Sequence, residues 1–366
     1  MLTVPVSFYI TRDPPATFVA VSRLLAGLAL AYGLVNWTRG QAHLSLLALG
    51  LAGLALGLAL YALVSVSRPS GADMSFIPDA VYDPVPLLVE DTVNPNMMAG
   101  ALVMALPFPL ALLVLASPGA LPPVSGAVPA AVAWVLDRRW FRRLWFVTAA
   151  LLVVAVLVLT KSRGGWIAGG VVVYVLLLRR WPRLLWLLPV ALLGVGLLAW
   201  QLGPLALLDA LSSGGVLSGW ESRAEIWSRA IYAVRDFPFT GTGAGTFGPV
   251  TGILYPFFLF GPGAKVTHAH NLLLQVAVDL GIPGLVAFLA LLLLAFASAL
   301  YAARSYRRAG KRALDALAWA GLASLVGMLV HGMVDATTWT VGRGAFVPWA
   351  VIGTVVTLAR RPGSNT

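Results

Sequence analysis

The chain has 366 residues, of which 59% are hydrophobic and 11% charged, and its net charge is +11. A soluble domain carries about 25% charged residues, so the deficit excludes a chain that faces water over most of its surface. The absence of Cys excludes disulfides, thiol catalysis and Cys-based metal sites.

Apolar runs able to cross a hydrocarbon layer of about 30 Å recur along the sequence. No ten-residue alternation of apolar and polar positions points to a barrel. Helices satisfy their own backbone groups in lipid, so the pattern predicts an all-α polytopic membrane protein with about nine to ten transmembrane helices. In chain order the predicted spans are 17–37, 42–66, 97–117, 144–160, 165–178, 184–200, 282–303, 313–334 and 344–359. Segment 118–136 carries Pro118, Pro122, Pro123 and Pro129 and reads as interfacial or re-entrant, with a tenth span as the alternative.

Four basic clusters punctuate these spans. They are Arg138, Arg139, Arg142 and Arg143; Arg179, Arg180 and Arg183; Arg304, Arg307, Arg308, Lys311 and Arg312; and Arg360 with Arg361. Basic residues gathered between apolar runs are the mark of cytoplasmic loops, a better account of the +11 than a nucleic-acid surface. An even number of spans separates every pair of clusters, so one orientation suits all four. The turn Lys161–Gly165 and the segments 201–281 and 335–343 then lie outside. Segment 67–96 joins them, with Asp73, Asp79, Asp83, Glu90 and Asp91 against Arg68 alone. Counting back puts the N-terminus outside without a signal peptide, which calls for one more span or for spans upstream.

The whole chain, 1–366, reads as a single membrane domain whose large extracytoplasmic loop is 201–281. Within it Glu221–Arg235 predicts a helix, capped by Ser218 or Ser222, with a stripe of Ile226, Ala230, Ile231 and Val234. Pro238 stops that helix. The glycine-rich Gly241–Gly248 follows as a loop, and Asn271–Leu280 predicts a second short helix broken at Gly281-Ile282-Pro283. The run Leu254–Phe260 is expected at the membrane surface or along a groove for a lipid. Gly243-Ala244-Gly245-Thr246-Phe247-Gly248 matches the dinucleotide pattern, yet it lacks the preceding strand that this fingerprint requires.

Polar residues that can carry chemistry collect on one side. Arg163, with Lys161 in the same turn, is a cation against the positive-inside trend; it is a clamp for phosphate or a snorkelling helix end. Arg223 and Trp227 share a helix face, which suits an anion beside a packed sugar or isoprenoid, or else an exposed Arg–Glu pair. His268 and His270 precede a helix, where imidazole can serve as general base or acid. A metal is not expected there, since no carboxylate or third His lies nearby in sequence. His331 and Asp335 stand four apart at the outer end of a span, as a pair lining the site or anchoring the helix. The spans themselves are nearly bare of charge, Arg23 being the main exception.

The stretches Leu159-Thr160-Lys161-Ser162-Arg163-Gly164, Ser222-Arg223-Ala224-Glu225-Ile226-Trp227, Phe237–Phe247, His270-Asn271-Leu272-Leu273-Leu274-Gln275 and Asp279-Leu280-Gly281-Ile282-Pro283-Gly284 occur in the order of a known family. With Asn94-Pro95-Asn96, they resemble the O-antigen ligase and polymerase superfamily over roughly residues 90–340. The resemblance implies a C-type glycosyltransferase-like fold. It implies transfer of a glycan from a polyprenyl-pyrophosphate carrier to an acceptor hydroxyl, outside the inner membrane, in cell-envelope and lipopolysaccharide biosynthesis. Arg163 and Arg223 match the family arginines thought to hold the pyrophosphate, and His270 matches the family histidine. Lys161, Trp227, His268, Asn271, His331 and Asp335 are expected to line the substrates. The reaction is expected to invert configuration without a cofactor; no Asp-x-Asp motif occurs. Expected partners are the lipid-linked donor, a glycolipid, glycan or protein acceptor, and membrane lipids, with no nucleic acid. A glycan polymerase and a protein O-oligosaccharyltransferase are alternatives within the superfamily, and an anion transporter is one outside it.

Overall fold

The computed structural model describes residues 3–67, 87–89, 92–204, 220–259, 266–336, 339 and 344–360. Arg68, Asp73, Asp79, Asp83, Glu90, Asp91, Ser218, Phe260 and Arg361 lie outside the described residues. The fold is all-α, with no strand among the described residues. The helices are α1 (Thr3–Ile10), α2 (Pro14–Trp37), α3 (Gln41–Ser65), α4 (Pro95–Ala105), α5 (Pro107–Val114), α6 (Ala130–Leu136), α7 (Arg139–Leu159), α8 (Arg163–Arg180), α9 (Leu187–Leu202), α10 (Trp220–Asp236), α11 (Phe247–Leu254), α12 (Leu272–Arg308), α13 (Arg312–Gly332) and α14 (Val347–Arg360).

Seven stretches among the described residues are long and apolar enough to cross a membrane: α2, α3, α4 with α5, α7, Pro182–Leu202 including α9, α12 and α13. The spans expected at 165–178 and 344–359 coincide with α8 and α14. The first carries Arg163, Arg179 and Arg180 at its ends and the second is 14 residues long. Segment 118–136 is not a tenth span. It holds a 3₁₀ turn, Pro118–Ala120, and α6, whose 7 residues reach only about 10 Å.

Arg142 fixes that segment. Its guanidinium donates to the carbonyls of Leu121 at 2.7 Å, Pro122 at 3.1 Å and Leu136 at 2.7 Å, and pairs with Asp137 at 2.5 Å. A cation from the basic cluster thus satisfies carbonyls that the prolines prevent from entering a helix.

The centre of the bundle is α13, which packs on α4, α5, α8, α12 and α14. Small residues bring the neighbours close, since a Cβ at Gly321 would lie 2.3 Å from Val355 and one at Gly327 would lie 2.6 Å from Val172. In lipid, where helices gain no hydrophobic energy by meeting, such close approach supplies the dispersion that holds them. Trp349 of α14 sits over Gly27 of α2, and Gly353 lies against Ala31. These two helices therefore run parallel. Arg179 of α8 pairs with Asp315 of α13 at 2.5 Å. That pair, the Ala309–Lys311 turn and the α7–α8 hairpin gather the basic clusters at one end of the bundle. The turn 160–162, the start of α12 and the end of α13 lie at the other. In contrast, α9 buries none of its residues.

The kink in α12 shapes this second end. Gly281 takes φ 69 and ψ −177, separating the predicted helix ending at Leu280 from the following span. The loop after α10 enters the break. Thr242 N donates to Val278 O at 2.7 Å, and Ile282 N donates to Pro238 O at 2.7 Å. A Cβ on Gly241 would lie 2.5 Å from Val278 O, and one on Gly281 would lie 2.7 Å from Phe239 C. The glycine-rich loop is thus a packing knot. It also takes a bond from Ala244 N to Ser7 Oγ at 2.6 Å and from Thr17 Oγ1 to Ala244 O at 3.0 Å, which tie it to α1 and α2.

Within the large loop, α10 matches the predicted helix. Ser222 lies inside it and is buried, so it is not the cap. The buried stripe is Ile226, Ala230 and Ala233, while the expected Ile231 is exposed. Glu225 accepts from Phe258 N and Leu259 N and pairs with Arg229 at 3.0 Å, which folds the tip after α11 back on α10. Ile253, Leu254, Phe258 and Leu259 project from that tip.

Candidate functional site

Three short segments meet at the end opposite the basic clusters: the turn 160–163, the turn 267–271 and the end of α13 through Asp335. The first begins where Ser162 caps α8, accepting from Gly165 N at 3.1 Å, which places Arg163 in the first turn of that helix. Gly164 packs on the last segment, where an added Cβ would lie 2.8 Å from Val334 and 3.9 Å from His331. Asn271 caps α12, accepting from Leu273 N and Leu274 N, while its amide donates to Met333 O at 3.2 Å. Its side chain is therefore committed to joining the second and third segments.

Lys161 and His270 take φ values of 50 and 46, the left-handed region that side chains disfavour. They are the non-glycine residues with positive φ among the described residues. Such conformations cost on the order of 1–3 kcal/mol and persist where surrounding structure enforces them. At His270 the enforcement is visible. Ala269 N donates to Gln275 Oε1 at 2.7 Å, and Gln275 Nε2 donates to Asp279 Oδ1 at 3.0 Å. Asp279 also accepts from Gly245 N at 3.1 Å and Trp339 Nε1 at 3.0 Å. A fully buried carboxylate thus joins the glycine-rich loop, α12 and the segment after α13, and through Gln275 it holds the histidine turn.

The two histidine rings lie 4.1 Å apart between centroids. His268 Nδ1 is 3.0 Å from Thr267 Oγ1, and its Nε2 is 3.3 Å from Asp335 Oδ1. That last contact has the distance of an ion pair without the angle of a good hydrogen bond. Trp227 Nε1 donates to His270 O at 3.4 Å, which sets α10 against the turn. Arg223, one helical turn before Trp227, is half-buried and acts electrostatically on Asp335, His270 and His331.

Electrostatics follow from this crowding. Burial lowers the Arg223 pKa, and the field of Asp335 partly restores it. Burial pushes His270 down to about 4, with the fields of His268 and Arg223 acting in the same sense and Asp335 against them. Burial alone would raise the Asp335 carboxyl, but the close contact with His268 and the histidine fields hold it below the usual carboxylate range. The resting site therefore holds a neutral His270 beside an ionised Asp335 and a cationic Arg223. Arg223 Nε, His268 Nε2, His270 Nδ1 and His331 Nδ1 are buried without hydrogen-bond partners among the described residues. An unpaired buried polar atom costs about 1–3 kcal/mol, and of these four only His268 Nε2 has a charged group, Asp335, at ion-pair distance among the described residues.

The nearest ligand atoms of His268, His270 and Asp335 lie within 4.8 Å of one another, a donor set suited to Zn²⁺. The sequence placed no carboxylate near the histidines; the fold brings Asp335 to them from 65 residues away. Arg223 opposes a dication there, because its charge acts on Asp335 and His270 of that cluster.

All nine sequence-predicted site residues lie on these segments or on α10. Gln275, Asp279 and Trp339, which hold the histidine turn, were not among them. The signal for the first two was a polar pair at i, i+4 in an otherwise apolar helix; Trp339 gave none.

Residues 148–289 match a family model described as O-antigen ligase, which supports the O-antigen ligase superfamily for this chain. The matched stretch contains Arg163, Arg223, His268 and His270, whereas His331 and Asp335 follow it. No curated protein matches the chain.

Proposed function

We propose that this chain, a multi-pass membrane protein carrying an O-antigen ligase domain, transfers a glycan from a polyprenyl-pyrophosphate carrier to an acceptor hydroxyl. The observation that carries the reading is the cluster of unpaired buried polar atoms on Arg223, His268, His270 and His331, inside or beside the matched domain. The positive-inside rule puts the basic end in the cytoplasm and this cluster on the extracytoplasmic face of the inner membrane.

In the proposed reaction Arg163 and Arg223 hold the pyrophosphate, each with two oxygens in reach of one guanidinium. The positive end of the α8 dipole, at Arg163, adds to their field. The acceptor oxygen attacks the anomeric carbon from the face opposite the pyrophosphate. The carbon–oxygen bond to the carrier breaks, its electron pair leaves on the pyrophosphate, and configuration inverts. His270 takes the acceptor's proton, while His268 and Asp335 orient the ring. Burial is the main cause of the depressed His270 and Arg223 the least; binding of the pyrophosphate offsets the Arg223 share, so the base strengthens once the donor is present. Two arginines stabilise the leaving group as charge develops, and the step calls for no divalent metal.

The test is transfer by purified protein supplied with a polyprenyl-pyrophosphate glycan and glycolipid, glycan or protein acceptors. Arg163→Lys keeps the charge but loses the planar two-pronged donor, and transfer is expected to fall with it. Absence of transfer with every lipid-linked donor, or wild-type rates in both Arg163→Lys and Arg223→Lys, overturns the proposal.

A further inference from the structure

The ring that takes the proton in the proposed reaction stands beside two other side chains able to ligate a metal. His268, His270 and Asp335 each offer one ligand atom, and these atoms lie within 4.8 Å of one another. Two of them already have the spacing of a metal site: His268 Nε2 and Asp335 Oδ1 are 3.3 Å apart. Two ligands about 2.0–2.1 Å from a tetrahedral zinc ion stand about 3.3–3.4 Å from each other. The His270 nitrogen has roughly 1.5 Å at most to close, which a turn of its ring supplies.

The neighbours prepare these donors. His268 Nδ1 lies 3.0 Å from Thr267 Oγ1. When Nδ1 carries the proton and donates it there, Nε2 turns its lone pair toward Asp335, the tautomer that a metal ligand needs. His268 Nε2 and His270 Nδ1 are buried without hydrogen-bond partners among the described residues, and Asp335 is buried as well. Asn271 ties the histidine turn to Met333 O at 3.2 Å, two residues before Asp335, so the segments that bring the three donors are cross-linked. Two imidazoles and a carboxylate suit zinc, whereas magnesium and calcium take oxygen ligands.

We propose that His268, His270 and Asp335 form an inhibitory Zn²⁺ site, in which the ion takes the lone pair that His270 uses as a base. A neutral imidazole has one such pair, and its other nitrogen carries the proton. Whichever nitrogen binds, a zinc-bound His270 has nothing left with which to take the proton of the acceptor hydroxyl. The inhibitory role rests on the transferase reading; the metal site stands on the geometry. Arg223 limits the affinity, since its charge acts on Asp335 and His270. Zinc therefore binds reversibly, and removal of that charge tightens it.

The first measurement is Zn²⁺ binding to the full chain in dodecyl maltoside, purified without a histidine tag. Farnesyl pyrophosphate, a short carrier analogue, is left out because pyrophosphate itself chelates zinc. One equivalent of Zn²⁺ is expected, and Co²⁺ in its place should give the visible absorption of a four-coordinate ion. His268→Ala and Asp335→Asn are expected to weaken zinc at least about tenfold, and Arg223→Gln to tighten it about tenfold. Asp335→Asn carries the test if His268→Ala does not fold. His43→Ala, which alters a histidine packed on Trp37, should leave zinc in place. No stoichiometric zinc on the wild type, wild-type affinity in both ligand variants, loss in His43→Ala, or weaker binding in Arg223→Gln overturns the site. The second measurement is wild-type transfer at buffered free zinc, with magnesium in excess to occupy the donor's pyrophosphate. Transfer is expected to fall by half at the free zinc that half-fills the site, and to return on chelation. Zinc bound without loss of transfer, or a rate that zinc raises, overturns the inhibitory role. If no lipid-linked donor supports transfer, the transferase reading fails and the inhibitory role with it, while binding in the ligand variants still decides the metal site.

Discussion

His270 combines a disfavoured backbone, a buried unpaired nitrogen and a pKa pushed down to about 4. A histidine depressed by burial is neutral above that value and loses its basic function as pH falls through it. The kcat/KM profile of transfer, which reports the free enzyme, is therefore expected to keep its acid limb near 4. The kcat profile, which reports the donor complex, should have its acid limb at higher pH, because bound pyrophosphate offsets Arg223. Coincident limbs would remove the proposed coupling. His270→Ala is expected to lower kcat by about 10²–10⁴ while farnesyl pyrophosphate affinity holds. Gln275 acts one step back. Gln275→Leu leaves Ala269 N without its acceptor, and the turn relaxes. We expect kcat to fall with donor affinity retained; equal loss of both, or of neither, would deny Gln275 a positioning role.

At the scale of elements, two devices replace regular hydrogen bonding where the chain cannot be helical. One is the knot of the glycine-rich loop with the α12 kink. Gly241→Ala places a methyl 2.5 Å from the Val278 carbonyl at a φ of 68 and should lower the detergent melting temperature clearly, whereas Gly252→Ala, in open space, should not. The other is Arg142, whose removal leaves three carbonyls without their donor and Asp137 with Val124 N alone. Arg142→Met is expected to destabilise the fold, read as a lowered melting temperature, since three carbonyls lose their donor and Asp137 loses its cation. The glycine loop shows how a motif can mislead: its spacing resembles a nucleotide-binding turn, but its neighbours are Ser7, Thr17 and a helix kink.

For the whole molecule, the central expectation is that the site and the basic clusters face opposite sides of the membrane. The chain has no Cys, so single cysteines are clean reporters. Lys161→Cys and Thr267→Cys should react with an impermeant maleimide in intact cells, and Lys311→Cys only after permeabilisation; any other pattern sinks the orientation. The sequence alone determined the all-α membrane class, the helical spans, the break at Gly281 and the order of Arg163, Arg223 and His270. Hydropathy, glycine with proline, and local spacing are properties of neighbouring residues, and they survive in one dimension. Only the tertiary structure decided that 118–136 folds around Arg142, that Asp335 meets His268 and that Asp279 ties three segments to the histidine turn. Partners brought together across tens of residues depend on how helices pack, and no local pattern records that.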